Sequence, residues 1–301
     1  MMRPFRRRPT TPTDALDPGP VALRPRHVSF DISDAPLHWI PGQPVASHIV
    51  SAFNFIFPEA ERFFIDAFTE ALPLIDDARL REDVLGFIGQ ETVHADTHEQ
   101  TMSQFFARHG IDTAPLQRQI DWIVRKVFGP RDFDDAALRH QYLVERLAVI
   151  GAAENFTAFL GDFALNNNWQ RYRAHVAMAQ MWRWHGAEEM EHRTVAHDVA
   201  TYFDDSYLRR IRALAICLAA LGLLYLRAVR YLAGHDPAIG KHRFAIARGY
   251  FAGARRGLLP TPAQMLRSII DYLRPSYTPD MTGSMAQALT FLARVEAEYA
   301  A

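Results

Sequence analysis

Two short segments of this sequence each hold a glutamate followed three residues later by a histidine. The pairs are Glu91-x-x-His94 and Glu189-x-x-His192. Residues three apart lie on the same face of a helix, so each pair presents a carboxylate and an imidazole side by side. Carboxylates and imidazoles, without thiolates, are donors that suit iron, manganese or zinc. One such pair alone is most often a solvated helix face, so the rest of the chain decides its meaning.

Glu61 interrupts a helical stripe that is otherwise apolar. It shares its face with Phe57, Phe64 and Phe68, and we therefore expect its side chain to point to the interior. Glu59 lies on the polar face of the same segment, and we expect it to point to water. A carboxylate that points to the interior needs a cation or hydrogen-bond donors close by.

Glu154 is likewise a single acid among aliphatic residues, on the face of Leu147 and Ile150. Together with Glu61 and the two Glu-x-x-His pairs, it would bring acid into one core from four helices. Buried carboxylates that converge repel one another and have raised pKa values unless cations neutralise them. Two divalent ions carry four positive charges. The pattern therefore predicts a centre of two metal ions, iron first, with manganese or zinc as alternatives.

Two more histidines share the faces of these predicted ligands. His185 lies one turn before Glu189, and His98 lies one turn after His94. We expect His185 to be a ligand or a neighbour of the ligands. For His98 the sequence leaves three roles open: a further ligand, a proton shuttle, or a hydrogen-bonded core histidine, of which the last is the commonest.

The elements that must position these residues are helices. From about residue 55 apolar residues recur at helical spacing and no segment alternates at period two, which predicts an all-α chain. The predicted long helices are 57–73, 77–108, 136–165 and 170–203. A short link, a long crossover with a short helix at 116–127, and another short link are typical of a ferritin-like four-helix bundle. Additional C-terminal helices are predicted at 206–233, 242–257, 262–273 and 284–299.

This pattern divides the chain into three predicted parts. Residues 1–29, rich in Arg, Pro and Thr, are predicted to be a flexible N-terminal tail, because they lack the apolar run of a secretory signal. Residues 30–204 would form the ferritin-like di-metal bundle. Residues 205–301 would form a C-terminal helical layer that packs on the bundle, and its spare surface suggests a homodimer.

Composition excludes some classes of function. Acidic and basic residues nearly cancel, 34 against 33, which argues against a nucleic-acid partner. The single cysteine, Cys217, excludes an intrachain disulfide and fits a cytoplasmic location. The apolar segment 213–226 is shorter than the roughly 17–25 residues of a spanning helix. It predicts a buried or interfacial helix, with weak membrane association as an open alternative.

Four segments in this order resemble a bacterial family of predicted metal-dependent hydrolases, a ferritin-like group, over roughly residues 30–290. They are FPEAERFF, FIGQETVHADTHEQ, AAENFTAFL and WHGAEEMEHRTVAHDV. The resemblance implies that the metal ligands are Glu61, Glu91, His94, Glu154, Glu189 and His192. His185 also resembles an extra histidine ligand of di-iron arylamine N-oxygenases.

The sequence departs from many oxygen-activating relatives of this group, which carry Asp-Glu-x-Arg-His. Gln90 and Glu188 stand where those relatives have the aspartate, and no arginine precedes His94 or His192. Gln90 and Glu188 therefore either orient a ligand imidazole, as residues behind metal ligands do, or are ordinary flanking polar residues.

The resemblance and the predicted ligands leave several functions open. The leading hypothesis is a di-iron enzyme that activates dioxygen, with an electron donor, to oxidise a small-molecule substrate. The alternative is a hydrolase with a two-metal site, in which the ions activate water. An iron-handling protein of the ferritin-like type is a further alternative. The sequence identifies no catalytic residue beyond the metal ligands.

Overall fold

The computed structural model describes residues 22–240 and 243–300, and over these ranges the protein is all-α, as predicted. An isolated antiparallel bridge between Val28 and Ala300 is the one β-type pairing among the described residues. The helices are α1 Pro44–Ser51, α2 Phe57–Ala71, α3 Ala78–Arg108, α4 Ala114–Phe128, α5 Ala136–Asn166, α6 Val176–His192, α7 Val195–Phe203, α8 Tyr207–His235, α9 Arg243–Arg255, α10 Pro262–Tyr272 and α11 Met285–Tyr299.

Several helices begin at a side chain that caps the first turn. Asp77 accepts a hydrogen bond from Leu80 N at the start of α3, and Asp135 accepts one from Ala137 N at the start of α5. Thr261 and Gln264 form a capping box at the start of α10. Such caps satisfy amide groups that have no partner inside the helix, so they set where each helix begins.

Four helices surround the inward glutamates. Helix α2 packs on α3 and α5 packs on α6, while α2 also contacts α5 and α3 contacts α6. The pairs α2/α3 and α5/α6 are joined by the short links 72–77 and 167–175, and a crossover through α4 joins the two pairs. The longer link before α6 absorbs the greater sequence separation between Glu154 and Glu189 than between Glu61 and Glu91.

The helix predicted at 170–203 is two helices in the structure. Residues 170–172 form a 3-10 turn, Arg173 adopts a left-handed conformation with φ of 55°, and α6 starts only at Val176. A break at residues 193–194 then separates α6 from α7. The short α1 was not predicted, because its eight residues are too few to show a clear period.

The N-terminal segment corrects the predicted tail boundary. Residues 1–21 of the predicted tail lie outside the described residues, but residues 23–25 pack on α3, Arg26 contacts α6, and Ser29 contacts the end of α11. Gly86 and Gly89 make room for this segment: a Cβ at Gly86 would lie 2.5 Å from Leu23 Cβ, and one at Gly89 would lie 3.3 Å from Pro25 Cδ. The packed chain therefore includes residues that composition alone made appear unstructured.

The C-terminal helices pack on the bundle and on α1. Helices α8 and α10 pack on α5, α11 packs on α6, and α9 packs on α1. By length and composition α5 and α8 are both apolar enough to cross a membrane. The apolar window of α5 is 67% buried within the protein, whereas that of α8 is 28% buried. Helix α5 is therefore a core helix, and α8 leaves most of its apolar surface uncovered.

Candidate metal centre

The four inward glutamates lie one on each of α2, α3, α5 and α6. Glu61, Glu91, Glu154 and Glu189 are each at most 3% exposed. Their helices bury the apolar stripes on which these residues lie, so the glutamates are carried into the core together with their neighbours. Seven of their eight carboxylate oxygens have no hydrogen-bond partner among the described residues.

Histidines complete two overlapping clusters of possible metal donors. Each residue of a cluster offers an atom, and those atoms lie within 4.8 Å of one another. One cluster is Glu91, His94, Glu189 and His192, and the other is Glu61, His94 and His185. Glu154 joins them through its Oε2 atom, 3.9 Å from His192 Nδ1. The structure thus brings together all seven residues predicted as ligands.

Histidines balance only part of the charge in this cluster. Against the effect of burial, hydrogen bonds to Glu188 and Glu91 raise the pKa of His94 well above its ordinary value, and a hydrogen bond to Glu91 raises the pKa of His192. Burial, and then repulsion from Glu91, raises the pKa of Glu61 well above its ordinary value. Burial, and then repulsion from Glu189, does the same to the pKa of Glu154. A raised pKa means that the ionised form of the carboxylate is disfavoured. Bound cations would stabilise the ionised forms of Glu61 and Glu154 and so lower these pKa values.

The histidines of the two Glu-x-x-His pairs each donate a hydrogen bond through Nε2 to a side chain on the side away from the four glutamates. His94 Nε2 donates to Glu188 Oε2 at 2.8 Å, since a carboxylate can only accept. Gln90 donates through its Nε2 atom to Glu191 at 2.8 Å, which turns its carbonyl oxygen to accept from His192 Nε2 at 2.7 Å. In their neutral forms both rings therefore carry the proton on Nε2 and turn the Nδ1 lone pair towards the glutamates. Of the two roles left open for Gln90 and Glu188, the contacts are those of residues that orient an imidazole.

Arg26 links these contacts into one continuous chain of hydrogen bonds. Its Nη1 atom donates to Glu188 at 2.8 Å and to Glu191 at 2.7 Å, and its Nη2 atom donates to Glu191 at 2.8 Å. The chain runs from His94 through Glu188, Arg26, Glu191 and Gln90 to His192. Arg26 is 6% exposed. The sequence held no signal for this residue, because it lies in the segment that composition marked as a tail.

His98 and His185 form a second chain of hydrogen bonds. Asn54 Nδ2 donates to Ser51 O at 2.8 Å, so the Asn54 carbonyl oxygen accepts from His98 Nδ1 at 2.7 Å. His98 Nε2 then accepts from His185 Nδ1. His98 thus has both nitrogens engaged away from the glutamates, which matches the hydrogen-bonded core role. His185 turns its Nε2 lone pair towards Glu189.

With neutral rings, these tautomers create two contacts between hydrogen-bond acceptors. His185 Nε2 lies 2.7 Å from Glu189 Oε1, and His192 Nδ1 lies 2.8 Å from Glu91 Oε1. Two lone pairs at such distances repel unless a proton or a metal ion lies between them. The donor set contains carboxylates and imidazoles without thiolate, and its unpartnered oxygens face one another. The residues present therefore fit a pair of divalent metal ions.

Aromatic rings surround the histidines. Trp184 lies edge-on to His94 with ring centroids 5.0 Å apart, Phe87 lies 4.6 Å from His192, and Phe57 lies 4.7 Å from His185. These walls exclude bulk water, which strengthens the interaction of a bound ion with its ligands.

Glu59 corrects one sequence expectation. It is buried rather than exposed, because the polar face of α2 is covered by α4, whose Arg125 Nε donates to Glu59 Oε1 at 2.6 Å. Its carboxylate is thus satisfied by an arginine away from the metal centre.

Comparison with known proteins gives one match. A family model described as "Predicted metal-dependent hydrolase" matches residues 24–283. The resemblance predicted from the four sequence segments is confirmed, and the match starts within the predicted tail. No curated protein and no solved structure matches the chain. The predicted similarity to di-iron arylamine N-oxygenases is not shown.

Proposed function

We propose that this chain, which belongs to the family of predicted metal-dependent hydrolases, hydrolyses a small-molecule substrate at a centre of two metal ions. The observation that carries the proposal is the cluster of buried carboxylates without hydrogen-bond partners, in which the neutral forms of His185 and His192 would turn lone pairs towards Glu189 and Glu91. A core of this kind needs protons or metal cations among its carboxylates, and two divalent ions would supply four positive charges.

The proposed ligands are the seven residues that the structure brings together: Glu61, Glu91, His94, Glu154, His185, Glu189 and His192. Two divalent ions held there would polarise a substrate oxygen and lower the pKa of a water molecule. The glutamates supply the negative charge that retains the ions. The histidines supply neutral nitrogen donors whose tautomers are set by Glu188, Gln90 and His98.

Oxidation of a small molecule with dioxygen and an electron donor is the second candidate function. The observation that favours it is the donor set, since carboxylates with three imidazoles and no thiolate suit iron as well as zinc. The family description favours hydrolysis. Iron handling without an organic substrate would use the same ligands and is a third outcome of the tests below.

Metal content tests the centre itself. We expect the full chain, freed of metal by a chelator and reloaded, to bind two zinc or ferrous ions in this centre, and Glu91→Gln to lose them. Glu99→Gln is the matched control, because Glu99 lies on the same helix with its side chain 53% exposed. Retention of both ions by Glu91→Gln would remove the basis of the proposal.

The reaction is tested by assaying the zinc-loaded and the iron-loaded chain, each with and without air. The zinc-loaded chain should hydrolyse members of a panel of p-nitrophenyl esters and phosphates without air, and Glu91→Gln should not. Oxygen consumption by the ferrous chain, with no hydrolysis by the zinc form, would favour oxidation instead. Iron oxidation that loads many ferric ions per chain would indicate iron handling.

A further inference from the structure

Outside the metal centre, a second cluster of metal-ligating side chains lies where three segments meet. His38 precedes α1, His48 lies on α1, and Asp236 directly follows α8. His38 Nε2 lies 2.7 Å from Asp236 Oδ2, and His48 Nε2 lies 2.8 Å from the same oxygen. The three donor atoms lie within 4.8 Å of one another.

Asp236 is an unusual residue for its position. It is 3% exposed, and the ion-pair contacts of its carboxylate among the described residues are those with the two histidines, without an arginine or lysine. It also lies at the C-terminal end of α8, where the helix dipole favours a cation and disfavours an acid. Two independent effects, burial and the dipole, therefore call for a positive charge here.

His48 does not supply that charge. It is 1% exposed, and burial lowers its pKa although the hydrogen bond to Asp236 acts in the opposite direction. Its Nδ1 atom is also buried without a hydrogen-bond partner among the described residues. Binding of a metal at Nε2 would place the single proton of the neutral ring on Nδ1.

We propose that His38, His48 and Asp236 bind one zinc ion, with water as the fourth ligand. Two imidazoles and one carboxylate around a tetrahedral ion are a common zinc donor set, with bonds of about 2.0–2.2 Å. Such bonds place the donor atoms roughly 3.3 Å apart, so the contacts seen here need to open by about half an ångström. The His38 side chain is 31% exposed, which leaves a path for the ion and room for the water.

The ion would act as a structural clamp. Next to it, Val45, Ala233 and Ile239 form a small apolar cluster that is separate from the main core. This corner joins α1 to the end of α8 through few buried residues. A zinc ion shared by His38, His48 and Asp236 would fasten the segment before α1, α1 itself and α8 to one another.

Zinc stoichiometry tests the site with the full chain. After removal of metal by a chelator and titration with zinc, we expect three tightly bound ions per wild-type chain and two per His38→Gln chain. His175→Gln is the matched control and should bind three, because His175 contacts a single carboxylate, Asp34, at 2.9 Å. Saturating zinc should also raise the melting temperature of Glu91→Gln, through the remaining site, and should do so less when His38→Gln is added.

Other outcomes separate this site from the metal centre. His48→Gln should also bind one zinc ion fewer than wild type. If His48→Gln does not fold, the zinc content of the folded His38→Gln chain still tests the site. Equal zinc content in wild type and His38→Gln would overturn the proposal. A wild-type chain that binds one ion, lost in His38→Gln, would support the clamp and contradict the proposed function.

Discussion

At the scale of single residues, we expect Arg26 to influence the metal centre although it is not a proposed ligand. It contacts Glu188 and Glu191, and these hold His94 directly and His192 through Gln90. Arg26 is thus a positioning residue for two proposed ligands. Without its charge, two buried carboxylates behind the centre would lack a cation.

Replacing Arg26 tests this role. We expect Arg26→Met to lower the free energy of unfolding by about 3–5 kcal/mol, because Glu188 and Glu191 lose their cation. Zinc affinity of the centre should fall about 10–100-fold, because both histidines lose their fixed orientation. Urea unfolding and zinc titration measure the two effects.

Arg24→Met is the matched control for Arg26→Met. Arg24 pairs with Glu296 at the surface, with side-chain exposures of 60% and 33%, so its loss should cost less than about 1 kcal/mol. Equal effects of the two replacements, or an unchanged zinc affinity in Arg26→Met, would show that Arg26 does not position the ligands.

His197 is a buried titratable residue that neither proposed metal site uses. Burial, and then Arg210, lowers the pKa of His197 to about 4. Because the pKa is lower in the folded protein than in the unfolded chain, the folded protein resists protonation of His197. The neutral ring therefore contributes its full stability above the ordinary histidine pKa, and this contribution is lost as the pH falls through about 4. We expect wild type to lose about 2–3 kcal/mol of stability between pH 7 and pH 4 through this group.

His197→Phe removes this titration. The phenyl ring can keep the edge-on contact with Tyr277, whose ring centroid lies 5.5 Å from that of His197. Urea unfolding at pH 7 and pH 4 should show a smaller difference for His197→Phe than for wild type. The same difference in both chains would place the acid sensitivity elsewhere.

At the scale of elements, α5 and α6 approach each other through two glycines. A Cβ at Gly161 would lie 2.2 Å from Gly186 O, and a Cβ at Gly186 would lie 2.7 Å from Gly161 Cα. Both obstacles are backbone atoms, so no side chain can move aside. The small residues therefore set the distance between the two helices that carry Glu154 and Glu189.

Gly161→Ala should push α5 and α6 apart. We expect a loss of about 1–3 kcal/mol in the free energy of unfolding and a weaker zinc affinity. Gly222→Ala on α8 is the matched control, since nothing lies within 4 Å of its Cβ, and it should stabilise the helix by about 1 kcal/mol. A stabilised Gly161→Ala chain would contradict the close approach.

At the scale of the whole molecule, charge is unevenly distributed. Residues 207–275 contain twelve Arg and Lys against two Asp and Glu, although the whole chain has a net charge of −1. On α8, Leu208, Leu223 and Leu226 lie on one exposed stripe with Arg230. An apolar stripe with arginines suits an anionic lipid surface, whereas a second copy would bring like charges together.

Vesicle binding tests this surface. We expect the chain to sediment with phosphatidylserine vesicles at low salt, and to do so less with phosphatidylcholine vesicles or at high salt. Leu223→Asp should weaken binding several-fold, and Leu138→Asp, an exposed leucine on α5, is the control. A chain that forms dimers through this stripe and ignores vesicles would show that a second copy covers it.

Helical periodicity alone determined the all-α fold, the helices α2 to α5 and α8 to α11 within a few residues, and the inward direction of Glu61, Glu91, Glu154 and Glu189. These features are local, because a period of 3.6 residues assigns each side chain to a face. The contacts around those glutamates were decided by the tertiary structure. Arg26 meets Glu188 and Glu191 across 162 and 165 residues of chain, and Glu59 is buried by α4. No local pattern encodes such contacts, because they depend on which distant segments the folded core brings together.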